Sequence, residues 1–294
     1  MKSLNHLAPI LNDRFKDEPI LARARQGLPL GELIIDAHGH LGDWMQFYIP
    51  RTDAASIVDV MDRCGVQAIA ISGMLSIGPD YKAGNQAVAD AADAFPGRFL
   101  GYVTANPNYP IDEVEQELEY WLTNHPWMRA IKLHPSYHEY PITGSCYRVA
   151  FDVAARHRVP VLAHTWGAGE ENSLCGPAMF ASLAEAYPDV NILLGHAGGL
   201  LPGYRAAVAV AQSHPNIYLE TCGSFQAMGM VEFLVAGVTS ERVLFGSDAC
   251  FLAQTAELGR VVYAKISTED KRNILGLNAA KLFNYPISAN PISC

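Results

Sequence analysis

The sequence has few charged residues, and positive charge is the scarcer sign. Charged side chains make up 17% of the 294 residues, and 21 Lys and Arg against 30 Asp and Glu leave a formal net charge of −9. A protein that binds nucleic acid or an anionic membrane surface non-specifically needs an excess of positive charge. We therefore expect no nucleic-acid or membrane partner. The charge balance leaves room for a local pocket that binds a small molecule, including a small anion.

Long hydrophobic runs and paired cysteines are missing as well. No apolar stretch approaches the roughly 18 residues of a membrane span, and the first residues, broken by Asn, His, Pro and Asp, do not resemble a signal peptide. The six cysteines are scattered without a CxxC pair, as is usual for reduced thiols. These features predict a cytoplasmic protein, and its 50% hydrophobic content predicts a large buried core.

Short apolar runs alternate with segments of helical spacing along most of the chain. Continuous apolar strands separated by helices are typical of a parallel sheet covered on both faces. Eight such units in about 250 residues predict an α/β fold, a (β/α)8 TIM barrel over residues 31–294, after an N-terminal extension over 1–30. An open doubly wound sheet is less favoured, because no glycine-rich phosphate loop follows the first strand. The predicted strands are Leu33–Ala37, Ala68–Ser72, Phe99–Thr104, Ala130–Leu133, Val159–Ala163, Val190–Leu194, Ile217–Glu220 and Val243–Phe245.

Ionisable residues lie at the carboxyl ends of five predicted strands, which is the catalytic end of a barrel. A lone buried charge is costly, so a strand in the core should not end in one without a reason. Because strands 1, 4, 5, 6 and 8 all end in ionisable residues, the sequence predicts a functional site at this end of the barrel. The residues are His38, His40, Lys132, His134, His164, His196 and Asp248.

His38 and His40 are the strongest pair. Two residues apart on an extended chain, their rings point to the same side and can chelate one divalent metal. A HxH pair also arises by chance in a turn without a metal. With His164 and Asp248 at neighbouring strand ends, three nitrogens and one carboxylate make a zinc-type donor set with room for a water.

The same segments resemble a known family. IDAHGH at the first strand, IKLHP at the fourth, PVLAHT at the fifth, GHAGG at the sixth and FGSDA at the eighth are similar to motifs of the amidohydrolase superfamily. Within it they resemble the branch that contains amino-carboxymuconate-semialdehyde and resorcylate decarboxylases. The resemblance covers about residues 33–285. It implies a distorted (β/α)8 barrel with a divalent metal, most often zinc, held by His38, His40, His164 and Asp248, and it implies that His196 is catalytic or binds a second metal.

Lys132 has two interpretations. Some amidohydrolases carboxylate a lysine at the fourth strand and use it to bridge two metals; otherwise Lys132 supplies a cation that orients an anionic group. We favour one metal per chain, zinc before manganese, and keep two metals as the alternative if Lys132 is carboxylated. His134 is a candidate substrate contact, although Pro135 beside it also fits a structural loop.

These residues predict a metal-activated water that hydrolyses a C–N or C–O bond of a small polar or carboxylated substrate, with His196, Asp248 and Lys132 in catalytic roles. The alternative reaction is non-oxidative decarboxylation of an aromatic or semialdehyde acid. A non-catalytic barrel stabilised by metal is the alternative from another class. A metal-dependent deoxyribonuclease resembling TatD is disfavoured by the acidic chain and by the lack of a glutamate ending strand four.

The sequence indicates the substrate wall only weakly. An aromatic loop containing Trp44 follows the first strand, and Tyr137 and Trp166 follow the fourth and fifth. The glycine-rich stretch 166–172 is a candidate lid, although a plain surface loop is the favoured interpretation. A homodimer is one of the oligomeric states that the sequence leaves open.

Overall fold

The structure is a computed structural model, and it describes residues 18–167, 173–225 and 227–287. Residues 1–17 of the predicted extension and 168–172 of the predicted lid lie outside the described residues.

Eight parallel strands follow one another around the sheet in chain order. The predicted (β/α)8 barrel is therefore confirmed, with strand boundaries shifted by a few residues. The strands are β1 (Ile35–Leu41), β2 (Ala68–Gly73), β3 (Phe99–Thr104), β4 (Met128–Leu133), β5 (Val161–His164), β6 (Ile192–Gly195), β7 (Ile217–Glu220) and β8 (Val243–Leu244).

Helices connect the strands and cover the outside of the barrel. Short 3-10 turns occur at Pro177–Phe180, His196–Gly198 and Ser240–Arg242, and a π-turn at Asn273–Leu277 joins the last two helices. The helices are α1 (Pro19–Arg25), α2 (Ala54–Cys64), α3 (Met74–Ile77), α4 (Tyr81–Ala94), α5 (Ile111–Asn124), α6 (Pro135–His138), α7 (Ser145–His157), α8 (Ala181–Ala186), α9 (Leu201–Ser213), α10 (Met230–Val238), α11 (Gln254–Val262), α12 (Thr268–Arg272) and α13 (Asn278–Leu282).

Side chains on each strand alternate between the inside of the barrel and the helical shell. On β5, Leu162 belongs to the cluster inside the barrel, whereas Val161 and Ala163 pack in the cluster under the helices. Because the period of a strand is two residues, His164 follows Leu162 to the inside. Likewise Lys132 follows Ala130, which packs inside on β4. The polar strand ends therefore meet within one barrel.

A bulge in β1 turns the HxH pair toward the interior. Ile35 and Ala37 already pack inside, so strict alternation would point the next histidine outward. The pairing of β1 with β2 slips by one residue between Asp36 and Gly39, and such a bulge changes the direction of the side chains after it. A Cβ on Gly39 would lie 2.5 Å from Ile69 Cδ1 and 3.1 Å from the Ala249 carbonyl, so this close approach requires glycine.

The join between β8 and β1 is made largely outside regular strand pairing. β8 is only two residues long, and Gly39 pairs with Ala249 as an isolated bridge. The buried carboxylate of Asp36 accepts hydrogen bonds from the Ser247 backbone (2.9 Å), the Ser247 hydroxyl and Gln254 Nε2 (2.8 Å). The Asp248 backbone N–H donates to the His38 carbonyl at 2.8 Å. This join, which we call the seam, sets the distance between the histidines of β1 and Asp248.

The opposite end of the barrel, the floor, is closed by Arg and Asn side chains that donate to backbone carbonyls around the strand starts. Asn216, just before β7, donates to the carbonyls of Ala184, Tyr187 and Val190 at 3.1–3.2 Å. The floor donors are Arg98, Arg129, Asn216, Arg242 and Asn278.

The described part of the extension packs on the outside of the barrel. Glu18 caps α1 by accepting from the Leu21 N–H, and it also accepts from Thr268 and Lys271 on α12. Among the helices of the described ranges, none is long and apolar enough to cross a membrane.

Candidate metal centre and active site

Three of the four predicted metal ligands form one compact group at the open end of the barrel, the mouth. Ligand atoms of His38, His40 and Asp248 all lie within 4.8 Å of one another. Asp248 Oδ1 is 3.1 Å from His40 Nε2 and 3.8 Å from His38 Nε2. We call these residues the outer group. Two imidazole nitrogens and a carboxylate oxygen facing one point are a donor set suited to a divalent cation.

The protonation states of the outer group suit metal binding. Burial, together with the nearby Lys132, lowers the pKa of His38 to about 3. Burial also lowers the pKa of His40. Burial alone would raise the pKa of Asp248, but its hydrogen bond with His40 and the surrounding histidines hold that pKa below its ordinary value. Neutral imidazoles and an ionised carboxylate are the forms that ligate metals.

The fourth predicted ligand, His164, lies in the same cavity but outside the compact outer group. Its Nδ1 is 3.1 Å from Nε2 of His196, the predicted catalytic histidine. His196 follows β6 in a left-handed conformation, with φ of 64°, and its Nδ1 lies 3.3 Å from the Cys222 carbonyl. A hydrogen bond to this carbonyl requires the proton on His196 Nδ1. In that tautomer His196 Nε2 carries a lone pair, which faces Nδ1 of His164.

Lys132 is fully buried beneath the cavity, and its Nζ is 2.7 Å from His38 Nε2. Burial lowers its pKa to about 8, while Asp248 acts in the opposite direction. Lys132 is not among the residues that line the described cavity. Its short contact is with Nε2 of His38, the nitrogen predicted to bind the metal. The predicted role of Lys132 in orienting an anionic group of the substrate stays a prediction.

Glu220 and Cys222 complete the site, and sequence reasoning missed both. Glu220 Oε2 accepts a hydrogen bond from His38 Nδ1 at 2.8 Å and from the His196 N–H at 3.1 Å. Although burial opposes it, the hydrogen bond with His38 lowers the pKa of Glu220 to about 2. An ionised carboxylate on Nδ1 fixes that proton and leaves Nε2 free for a metal. The available signal was that Glu220 ends the predicted seventh strand, just as His164 follows the fifth.

A cavity of about 250 Å³ opens above the outer group. His134 and His164 stack in it, with ring centroids 4.3 Å apart and planes at 15°, and Trp166 continues the stack at 6.1 Å. Other lining residues include Phe47, Tyr137, His196, Ser224, Asp248 and Phe251. The walls are therefore mainly aromatic and imidazole rings, which suit a flat ligand.

Of the four predicted substrate residues, His134, Tyr137 and Trp166 line this cavity. Trp44, which we predicted as a substrate contact, is not among the lining residues. It is buried and packs edge-on against Tyr137 and Phe251, one layer behind the wall. A larger cavity, about 520 Å³, lies between α2 and α11. Its lining contains none of the histidines of the site, so the smaller cavity is the one placed for chemistry.

Comparison with known proteins agrees with this architecture. The sequence profile of the amidohydrolase family matches residues 35–285, whereas no protein of curated function matches the chain. The fold is similar to that of the 5-carboxyvanillate decarboxylase of Sphingomonas paucimobilis, with a TM-score of 0.68 and 13% identity over 86% of this chain and 99% of that chain.

Two further solved structures are similar in fold. The 2,6-dihydroxybenzoate decarboxylase from Rhizobium has a TM-score of 0.65 and 18% identity, covering 86% of this chain and 99% of its own. The 5-carboxyvanillate decarboxylase of Novosphingobium aromaticivorans, complexed with manganese and 4-hydroxy-3-methoxy-5-nitrobenzoic acid, has a TM-score of 0.67 and 14% identity over 86% and 96%. At these identities the likeness shows the fold.

Proposed function

We propose that this chain, which belongs to the amidohydrolase family, is a metal-dependent, non-oxidative decarboxylase of a small carboxylated aromatic compound. The observation that carries the proposal is the outer group of His38, His40 and Asp248 at the base of a cavity lined by flat rings. The decarboxylases of similar fold, one of them solved with manganese, support this reaction.

The residues present fit a divalent ion. His38, His40 and Asp248 would hold it, and His164 is near enough to be tested as a further ligand. When bound, the ion would stabilise negative charge on oxygens of the substrate. Manganese fits the nitrogen and oxygen donors and is the metal of a solved structure with this fold; zinc, expected first from the sequence, suits the same donors.

The cavity walls would orient the substrate. A ring lying against the His134–His164–Trp166 stack would face Phe47 and Phe251 on other parts of the lining. Aromatic walls exclude water from around the carboxylate, which strengthens the electrostatic interactions made there.

Decarboxylation breaks the bond between the ring carbon and the carboxylate carbon. Carbon dioxide leaves, the electron pair stays on the ring carbon, and that carbon takes up a proton. His196 lines the cavity, and we assign it the delivery of this proton from Nε2, which takes the proton up from solvent while Nδ1 keeps its own proton on the Cys222 carbonyl. Lys132 Nζ lies 2.7 Å from His38 Nε2, the nitrogen that would bind the ion, so Lys132 must release that nitrogen when the ion binds.

Hydrolysis, the reaction expected first from the sequence, stays a prediction, and the similar folds favour decarboxylation. The two reactions place the new proton differently, so a solvent-isotope experiment separates them. Manganese-loaded protein is incubated in D2O with a panel of hydroxylated and methoxylated benzoates, and separately with amides and lactones of the same acids. Decarboxylation predicts release of carbon dioxide and one deuterium at the vacated ring carbon.

His196→Asn should abolish that product while metal content stays near one ion per chain. His214→Asn, at the floor end of α9, serves as the matched histidine control and should keep activity. Product from the amides or lactones alone would replace decarboxylation with hydrolysis. A metal that changes only the melting temperature, with no turnover on either panel, would favour the non-catalytic barrel.

A further inference from the structure

A second compact group of metal-ligating side chains lies on the Nδ1 side of His38. Ligand atoms of His38, His196, Glu220 and Cys222 all lie within 4.8 Å of one another, and all four residues are buried. We call these residues the inner group. Only His38 belongs to both groups, and it presents Nε2 to the outer group and Nδ1 to the inner one.

The inner group is arranged around the Cys222 sulfur. Sγ lies 3.3 Å from His38 Nδ1 and 3.3 Å from His196 Nδ1, so both imidazoles direct the same nitrogen at it. Glu220 Oε2 is 3.0 Å from Sγ and 2.8 Å from His38 Nδ1. In a tetrahedral zinc site, ligand atoms are about 3.3–3.7 Å apart, as follows from bonds of about 2.0–2.3 Å. These four distances are within roughly half an ångström of the spacing that an ion needs, and the remaining pairs of ligand atoms lie within 4.8 Å.

The donor chemistry differs between the two groups. The outer group offers nitrogen and carboxylate oxygen, which suit manganese as well as zinc, whereas the inner group adds a thiol, which selects zinc or cadmium. A thiolate and a carboxylate together also neutralise a divalent charge, so an ion bound there would leave the inner group itself without net charge.

We propose that the inner group is a second, thiolate-containing cation site for a zinc-type metal, and that its occupancy excludes a metal from the outer group. Binding removes the Cys222 thiol proton, which passes to solvent. His38 and His196 then ligate through Nδ1 and carry their single proton on Nε2. A protonated Nε2 cannot ligate, so His38 serves one metal at a time, and a thiophilic metal in excess switches the enzyme off.

The site is tested with cadmium on the manganese-loaded full-length protein. Filling the inner group should produce a thiolate-to-cadmium absorption band in the ultraviolet and the release of about one thiol proton per ion. Free manganese, followed by its electron paramagnetic resonance, should appear in step with the band. These readouts need no substrate, so the result is independent of the proposed reaction.

Two buried cysteines give a matched pair of variants. Cys222→Ser should lose the band and keep its manganese at cadmium concentrations that release it from the unaltered protein. Cys146→Ser, whose thiol is equally buried but lies outside both groups, should behave as the unaltered protein does. Cadmium bound at other thiols contributes equally to both variants and cancels in the comparison.

Two outcomes would overturn the proposal. One is equal manganese release from Cys222→Ser and the unaltered protein, which would mean direct displacement in the outer group. The other is an unaltered protein without the Cys222-dependent band, in which case the inner group is a hydrogen-bond network only. Should Cys222→Ser fail to fold, X-ray absorption at the cadmium edge of the unaltered protein decides instead: one sulfur with two imidazoles is expected, and a shell of nitrogen and oxygen alone contradicts the site.

Discussion

The mouth and the floor of the barrel both join eight strand ends, but they do so with different side chains. At the floor, Arg and Asn side chains donate to backbone carbonyls around the strand starts, some of which also accept a backbone N–H. At the mouth, histidines and carboxylates hydrogen-bond mainly to one another. The contrast indicates that the floor contributes stability and the mouth contributes chemistry, as in other barrels of this kind.

Asp248→Asn should separate the two ends most strongly. The substitution removes the carboxylate charge of the outer group, and losing several kcal/mol of transition-state stabilisation corresponds to a fall in kcat/KM of about a thousandfold or more. The free energy of unfolding of the metal-free protein should change little. Steady-state rates, metal analysis and denaturant unfolding measure the three effects; unfolding at much lower denaturant with activity retained would reverse the assignment of the mouth.

Glu220→Gln should have the next largest effect. The ionised carboxylate of Glu220 keeps the proton of His38 on Nδ1, so that the lone pair of Nε2 faces the outer group. Loss of such a partner weakens metal binding by about 10- to 100-fold. Competition with a fluorescent chelator measures the affinity. Glu117→Gln, which removes a carboxylate that accepts from Trp121 and Asn85 outside the site, is the control and should bind manganese normally.

Asn216→Ala tests the floor. It leaves three carbonyls without their side-chain donor, which should lower the free energy of unfolding by about 2 kcal/mol. KM and metal affinity should stay as they are, because the substitution is at the opposite end of the barrel. A change in KM with unchanged unfolding would contradict the division between the two ends.

The smallest expected effect concerns Glu18, outside both ends. Burial opposes ionisation, but hydrogen bonds from the Leu21 N–H and Lys271 lower the pKa of Glu18. A lowered carboxyl pKa contributes stability above the ordinary pKa of about 4.5, and this stability is lost as the pH falls through the folded-state value. Above pH 4.5 the unaltered protein should therefore be more stable than the Glu18→Gln variant by about 1 kcal/mol. As the pH falls below 4.5, the difference in the free energy of unfolding between the two proteins should shrink. Equal stability at neutral pH would show that the contact contributes nothing.

The barrel could be predicted because short, mainly apolar runs alternate with helical segments eight times along the chain. The sequence marks α4 less plainly than the strands, because its buried face mixes Tyr81 and Val88 with Gly84, Asn85 and alanines. Gly84 lies so close to Ser76 that a Cβ would be 2.1 Å from its backbone nitrogen. Close packing of small residues leaves few large apolar side chains to mark the buried face of this helix.

The candidate site was less complete from sequence. His38, His40 and Asp248 come together because the strand ends of a barrel converge. The bulge in β1 that turns the two histidines inward depends on pairing with β2, which one strand does not reveal. Glu220 was counted as the end of a strand, and its contact with His38 joins positions 182 apart in the chain. We predicted Trp44 in the cavity wall because its loop follows the first strand. The position of a loop in the sequence shows that its residues lie near the cavity, but it does not show which of them face the cavity and which pack behind the wall.

The seam between β8 and β1 gives the outer group a consequence beyond catalysis. Its ligands come from β1 and from the segment just after β8. β8 has only two residues of regular strand, so few strand hydrogen bonds close the barrel at this point. An ion held by His38 and Asp248 would therefore act as a cross-link between the first strand and the segment that follows the last strand, and links that close long loops restrict the unfolded chain most. Amide exchange after metal removal should rise first along this seam, so the barrel would loosen between β8 and β1.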